Sequence, residues 1–407
     1  MAYDHGVYPL LKLILVLGYQ FEITTFKAKW KNNLIEVVYW VHQIIGVASL
    51  ISHVISTTTR SIRYMPEFFQ RLFEDAAFNL LFIEAHFIRA NFQDLHELIQ
   101  HMETSFSTQE TEIVEKTYAK AKFIFYVCVT SAIGCLSGSI LETFFTVSQE
   151  ELDLLSHIYD RKYPNNRLQT NFWVPDIDDS EPPYYQIIFV TELYLIYLII
   201  LLTILSVSLI PMLVTHIAGQ YEILCNRIQS LGHSSIMWNK RRPIDDLQDR
   251  ESLRSIMQAH KNLISAQSKL QNLYSAGMFI KVVFNNIMFA LCLYQLTLSN
   301  TNTVSKFRVY KLTLEFLTVA VTYYYLCHCS EILDDCNSKL CDAIWNSRWY
   351  HCSRHVQKDL IMFLRRVQRP NHLKCLHGAI ILSHVYFLGV VKVSYSFVNC
   401  MRFKSRL

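Results

Sequence analysis

Tyr323-Tyr324-Tyr325-Leu326-Cys327-His328-Cys329-Ser330-Glu331 closes one hydrophobic span, and Lys392-Val393-Ser394-Tyr395-Ser396-Phe397 lies inside the next. Between them come Ala343-Ile344-Trp345, Trp349-Tyr350 and the basic run Arg365-Arg366-Val367-Gln368-Arg369-Pro370. From Val319 to Phe397 the chain is therefore span, polar segment, span, and everything upstream reads as walls around that end. A bilayer core takes roughly 20 apolar residues per helix. Windows of that size recur at Leu34 to Ile55, Phe68 to Phe92, Phe123 to Val147, Ile187 to Ile217, Leu273 to Leu298, Val309 to Leu326 and Leu376 to Cys400. This layout predicts an all-α membrane protein with seven transmembrane helices.

Composition agrees with alternating spans and wet segments: 51% of the 407 residues are hydrophobic and 18% charged. A net charge of +4 is small for this length and supplies no electrostatic case for nucleic acid. The 11 cysteines follow no paired framework, which argues for free thiols. The second window carries Arg71, Glu74, Asp75, Glu84, His86 and Arg89, charges that must face partners, an aqueous cavity or headgroups because lipid will not solvate them. At the start, the apolar run Leu10 to Leu17 has no small-residue cleavage site and is interrupted by Lys12, so a short helix at the membrane surface is expected. Basic residues between His216 and Gln271, set against the acidic loop, favour an inside amino terminus. Lys306, Arg308, Arg402, Lys404 and Arg406 pull the other way.

The expected division is a cytosolic amino-terminal segment over 1–33, spans one to four over 34–217 with an acidic outer loop at 149–185, a cytosolic helical segment over 218–272, spans five and six over 273–328, a cytosolic anchor over 329–375, a last span over 376–401 and a short outer tail over 402–407. The loop ends in Trp173-Val174-Pro175-Asp176-Ile177-Asp178-Asp179-Ser180-Glu181-Pro182-Pro183, which cannot continue a helix; a lid over the outer face and a plain solvated connection are both open readings. Leu253, Ile256, Met257, His260, Leu263 and Ile264 recur at helical spacing, as do Leu360, Ile361, Phe363 and Leu364. Such stripes in water need partners, and other subunits are an obvious source. The Cys/His tract Cys327, Cys329, Cys336, Cys341, His351, Cys352 and His355 has no zinc-like spacing, and no G-x-G-x-x-G, P-loop or H-E-x-x-H occurs. No catalytic residue, cofactor or metal is therefore expected. Glu142 and Glu192, inside spans, are either functional or reaching outward to water.

Taken with Thr215-His216-Ile217-Ala218-Gly219-Gln220-Tyr221-Glu222-Ile223-Leu224, the blocks quoted above occur in the order and spacing of one family. The chain resembles the insect odorant receptors over nearly its whole length, by motifs after residue 180 and by hydrophobic layout before it. The resemblance implies a subunit of a ligand-gated, non-selective cation channel in the plasma membrane of olfactory sensory neurons. It would bind a small volatile odorant and join a shared odorant co-receptor in a heterotetramer surrounded by lipid. The short segment between the fourth and fifth spans is more similar to a ligand-specific subunit than to the co-receptor. A gustatory receptor is the nearest alternative, but its T-Y-x-x-x-x-x-Q-F signature is absent; a G-protein-coupled receptor or small transporter is more distant, with no D-R-Y or N-P-x-x-Y.

The resemblance also implies a ligand site in the outer half of the bundle, and Phe73, Ala77, Phe78, Ser131, Gly134, Cys135, Gly138, Tyr194, Tyr197 and Phe316 are its expected residues. Aromatic walls suit an apolar ligand, and small residues leave room for one, although lipid contact and close helix packing explain the same residue types. In the last span Val391, Ser394, Tyr395, Val398 and Arg402 recur at helical spacing. Periodicity alone makes such a face ordinary helix packing more often than a pore. The family resemblance reverses this and implies that the last helix lines the conduction path, narrowed at Val398, where an aliphatic ring gates by dewetting.

Overall fold

The computed structural model describes residues 13–14, 17, 29–106, 111–145, 149–174, 177–232, 243–298 and 306–404. In chain order the helices are α1 (Lys29–Thr59), α2 (Met65–Ala90), α3 (Phe92–Phe106), α4 (Thr111–Phe144), α5 (Gln149–Tyr159), α6 (Tyr184–Gln229), α7 (Pro243–Leu298), α8 (Lys306–Asn346) and α9 (Arg354–Val367). An antiparallel hairpin, β1 (Lys374–Cys375) with β2 (Ile380–Ile381), then leads into α10 (His384–Lys404). The long helices α1, α2, α4, α6, α7, α8 and α10 make the seven-helix bundle. By length and composition α1, α4, α6 and α7 are apolar enough to cross a membrane. The others carry more polar groups, and α2 buries its Glu67, Arg71, Glu74 and Asp75 against neighbours. Most of the expected amino-terminal surface helix, Leu10 to Leu17, lies outside the described residues, of which Leu13, Ile14 and Leu17 are buried.

The bundle is built around α6. From Leu195 to Ile217 it is buried on nearly every side, as expected of a helix that is hydrophobic all round. It packs against α1, α2, α4, α7 and α8. Pro211 sits inside it without an amide hydrogen to give, and Thr215 Oγ1 donates to the Pro211 carbonyl at 2.8 Å.

At one end, the loop end, ion pairs join the end of α1, the start of α2, the α5–α6 loop and the start of α8. Asp179, 1% exposed, accepts from both Arg60 and Arg161 at 3.0 Å. Glu67 is held by Arg71, Arg308 and the Tyr159 hydroxyl. Leu168 to Phe172 are buried, so this part of the loop is packed onto the bundle, not merely solvated. Pro175 and Asp176 lie outside the described residues.

At the other end, the anchor end, the two predicted stripes meet each other. Leu253, Ile256, His260 and Leu263 of α7 share one buried cluster with Val356, Leu360, Phe363 and Val367 of α9, and the rings of His260 and Phe363 stand edge to face at 5.0 Å. The expectation that these stripes wait for another subunit is corrected: the chain covers most of them itself. Leu247, Trp345, Tyr350, Ile361 and Met362 remain outward, each at least half exposed.

The Ser330-Glu331 pair of the quoted motif has a structural task here. Ser330 Oγ accepts from Leu373 N, and Glu331 Oε1 accepts from His384 N at the first residue of α10, both at 2.9 Å. A carboxylate on an orphan amide at a helix amino terminus is favoured by hydrogen bonding and by the helix dipole. The last helix thus begins at His384, not at Leu376. Gly378, at φ 99°, turns the hairpin, and Ser383 Oγ accepts from Tyr386 N as an N-cap.

Candidate ligand cavity

A cavity of about 170 Å³ lies inside the bundle, walled by α2, α4, α6, α7 and α8 and roofed by Gln169 and Thr170 of the α5–α6 loop. Its walls are Phe73, Ala77, Phe78, Leu80 and Leu81 from α2, Ala132, Cys135 and Leu136 from α4, and Ile196, Ile199 and Ile210 from α6. Met288, Val319 and Leu326 close it from α7 and α8, with hydroxyls of Ser139, Thr203, Thr318 and Thr322 interspersed. An apolar enclosure with a few polar groups is the usual form of a small-molecule site.

The charges at its rim are already paired. Glu74 accepts from Arg71 Nη1 at 2.6 Å and lies 3.7 Å from Lys311 Nζ, which is itself 4.0 Å from Glu315. His53 approaches Glu74 and Asp75 from α1. Toward the anchor end, Lys281 pairs with Glu84 at 3.0 Å and donates to Ser206 Oγ at 2.9 Å, while Ser206 donates to Glu84. The loop roof is tied down by Glu192, which is wholly buried and accepts from Gln169 N, Thr170 N and Thr170 Oγ1 at 2.7–3.2 Å. Glu192 is therefore neither reaching outward to water nor exposed to a ligand; it holds the loop. The side chain of Glu142 lies outside the described residues.

Of the residues expected at a ligand site, Phe73, Ala77, Phe78 and Cys135 line this cavity. Ser131, Gly134, Gly138, Tyr194, Tyr197 and Phe316 are absent from its lining. Tyr197 is half exposed on the outside of the bundle, and Tyr194 faces His42 at 6.1 Å. Phe316 packs on Phe289 at 5.3 Å, and Gly138 lies beside the Lys311 side chain. For Tyr194 and Tyr197 the sequence carries no signal of facing, because α6 is apolar on nearly all sides and has no periodicity that fixes its rotation. Gln169, Ser206, Lys281 and Asn285 line the cavity and were not anticipated. Lys281 had a signal, a lone ammonium inside an apolar window; Gln169, in a polar loop, had none.

The expected gate face also divides. Ser394 and Val398 are 3% and 2% exposed and, with Val390, form the seam by which α10 packs on its own bundle. Val391 is half-buried, whereas Tyr395 and Arg402 are exposed. In the single chain the expected constriction residue Val398 is thus covered by its own bundle, while Tyr395 and Arg402 of the same expected face are not. In the Cys/His tract Cys327, Cys329, Cys336 and Cys352 are buried, every cysteine is a free thiol, and among the described residues no three ligating side chains converge.

The family model for the 7tm Odorant receptor matches residues 64–395. The chain belongs to the odorant receptor family. Odorant receptor Or2 of Anopheles gambiae is 24% identical over 240 residues, which are 59% of this chain and 62% of that one; Odorant receptor 83a of Drosophila melanogaster is 23% identical over 148 residues, 36% and 32% of the two chains. These matches span less than two-thirds of either relative's length. Among solved structures, the insect olfactory receptor OR5 of Machilis hrabei superposes with a TM-score of 0.75 at 14% identity over 97% of both chains. The same receptor in complex with eugenol gives 0.76 over 98% and 99%. The odorant receptor fold, seven membrane-spanning helices, thus extends over nearly the whole of this chain, and the family consists of receptors, not enzymes.

Proposed function

We propose that this odorant receptor is the ligand-specific subunit of an odorant-gated, non-selective cation channel and works with a shared co-receptor in a heterotetramer in the plasma membrane of olfactory sensory neurons. The observation that carries the reading is the largely apolar cavity among α2, α4, α6, α7 and α8, in a receptor whose fold is that of a protein solved with eugenol. A volatile, neutral molecule is the ligand such walls favour, since burial of apolar surface supplies the affinity and the rim charges are already neutralised.

The loop end, with the acidic loop, faces outward in this reading and the anchor end faces the cytoplasm. Trp345, Tyr350, Ile361 and Met362 would then meet neighbouring subunits there, as exposed aromatic and aliphatic groups do at interfaces. On α10, Lys392, Tyr395, Asn399 and Arg402 are all exposed at helical spacing opposite the packed seam. That stripe is the conduction-facing side, with Leu388 one turn earlier as its apolar constriction.

The test is a volatile screen on cells expressing this chain with and without the co-receptor, repeated with Ala77→Trp, which fills the cavity from α2. The expected result is odorant current only with both subunits, lost in Ala77→Trp at unchanged surface level. Strong odorant current from this chain alone, or an unaltered dose response in Ala77→Trp, would overturn the co-receptor or the cavity reading respectively.

A further inference from the structure

Among the described residues lining the cavity, Gln169 carries a neutral carboxamide of which both polar atoms lack a hydrogen-bond partner. The backbone of Gln169 is fixed from both sides, its N donating to Glu192 Oε2 at 2.7 Å and its carbonyl accepting from Arg71 Nη1 at 3.2 Å. Thr170 is fixed beside it by two further hydrogen bonds to Glu192. The Gln169 residue is 5% exposed and borders the cavity, yet neither its Nε2 nor its Oε1 has a hydrogen-bond partner among the described residues. Buried carboxamides are almost always satisfied, because leaving both functions unpaired forfeits their hydration without return.

The surroundings decide what would satisfy it. Glu74, Lys311 and Lys281 at the rim are already engaged in ion pairs. A charged ligand would have to break one of those pairs, whereas a neutral one would not. The carboxamide presents a donor and an acceptor side by side. A hydroxyl answers both, donating to Oε1 and accepting from Nε2; a carbonyl or ester answers only Nε2, and a hydrocarbon neither.

We propose that Gln169 is the specificity-determining residue of the cavity and that the ligand class is neutral and hydroxyl-bearing, an alcohol or phenol whose apolar body lies against Phe73, Ala77 and Phe78. The inference rests on the cavity being the odorant site. Discrimination follows because a site built to pair a hydroxyl rejects the analogue lacking it, its own polar group being left unpaired.

The experiment measures currents in cells expressing the full chain with the co-receptor, using two matched series: 1-hexanol, hexanal and hexane, then benzyl alcohol, benzaldehyde and toluene. In the native chain the alcohol of at least one series is expected to act at about tenfold lower concentration than its partners, the effect of one net hydrogen bond. Gln169→Leu and Gln169→Met, which leave the backbone hydrogen bonds of the loop available, are expected to bring that ratio to within about twofold. A ratio unchanged in both variants overturns the role of Gln169. A native chain that ignores alcohols and phenols but answers volatiles without a hydroxyl overturns the ligand class. Ala77→Trp separates the two levels: if it silences all ligands while the Gln169 variants keep the ratio, only the Gln169 assignment fails, and if it alters nothing, the cavity reading fails first.

Discussion

Arg71 shows how one side chain in an apolar window can be a structural keystone. It reaches Glu67 at 2.9 Å and Glu74 at 2.6 Å and also donates to the Gln169 carbonyl, so it ties α2 to the loop above the cavity. Arg71→Leu would remove the one guanidinium that bridges both buried carboxylates, leaving Glu67 to Arg308 and Glu74 to Lys311 and His53 among the described residues. A broken buried pair typically costs about 3–5 kcal/mol. We expect reduced surface delivery and a lower unfolding temperature in detergent, with Arg71→Lys recovering only part of the loss because a single ammonium cannot serve both carboxylates in fork geometry. At the anchor end, His260 is held down to about 4, first by burial and then by the nearby Arg366 guanidinium. Its ordinary value is 6.5, so between those two pH values the unfolded chain takes a proton that the folded chain refuses. Stability is therefore whole above pH 6.5 and falls as pH drops toward 4, by up to about 1.4 kcal/mol per pH unit from this group. Thermal unfolding across that window should be shallower in His260→Phe than in the native chain; parallel curves would show that His260 is not the titrating group.

At the scale of the helix, α10 has a covered seam and an uncovered stripe, and the proposed function assigns conduction to the stripe. Val390, Ser394 and Val398 are spaced four residues apart and buried, so removing methyl groups at Val398 acts on the seam. Val398→Ala is expected to cost about 1–2 kcal/mol, read as a lower unfolding temperature, with ion selectivity unchanged. Lys392→Glu, on the exposed stripe, should alter relative cation permeability with little effect on stability, because a charge facing a conduction path biases which ions enter it. If Val398→Ala alters selectivity and Lys392→Glu does not, the facing of α10 is the reverse of the one argued here. Periodicity in the sequence showed the stripes of the last helix, though the hydrophobic window placed its start at Leu376 and not His384, and it could not say which stripe the bundle covers, since Val391, Ser394 and Val398 look equally suited to a seam or a pore. Its start was readable in principle: Ser383, a residue type favoured as N-cap, precedes the helix, and Gly378 precedes that.

Across the whole molecule, the outside of the bundle is as informative as its core. On α1, Leu34, Val37, Val41, Ile44, Ile51 and Ile55 recur at helical spacing with exposures from 37% to 66%, while Tyr39, His42, Ser49 and His53 on the other side are buried. Only lipid makes a surface of that kind inexpensive. Ile44→Asp places a charge on that face in mid-helix, where insertion costs roughly 2.5–3.5 kcal/mol. Surface-labelled receptor should fall accordingly, whereas Ile44→Leu should leave it unchanged.

By itself the sequence determined the class of this protein. Hydrophobic windows of membrane length, interrupted by polar helical segments, allow little else, because an unpaired backbone cannot be left in hydrocarbon; the ordered motifs of its final third were enough to place it among the odorant receptors. What the tertiary structure decided was facing. Which side of α6 meets the cavity, that Glu192 holds a loop, that the α7 and α9 stripes cover each other, that Val398 packs inward and that a loop glutamine roofs the cavity all depend on the rotation of each helix about its own axis. In an apolar helix every rotation buries a similar area, so that choice is made by contacts between segments distant in the chain, such as Glu67 with Arg308 and Glu192 with Thr170.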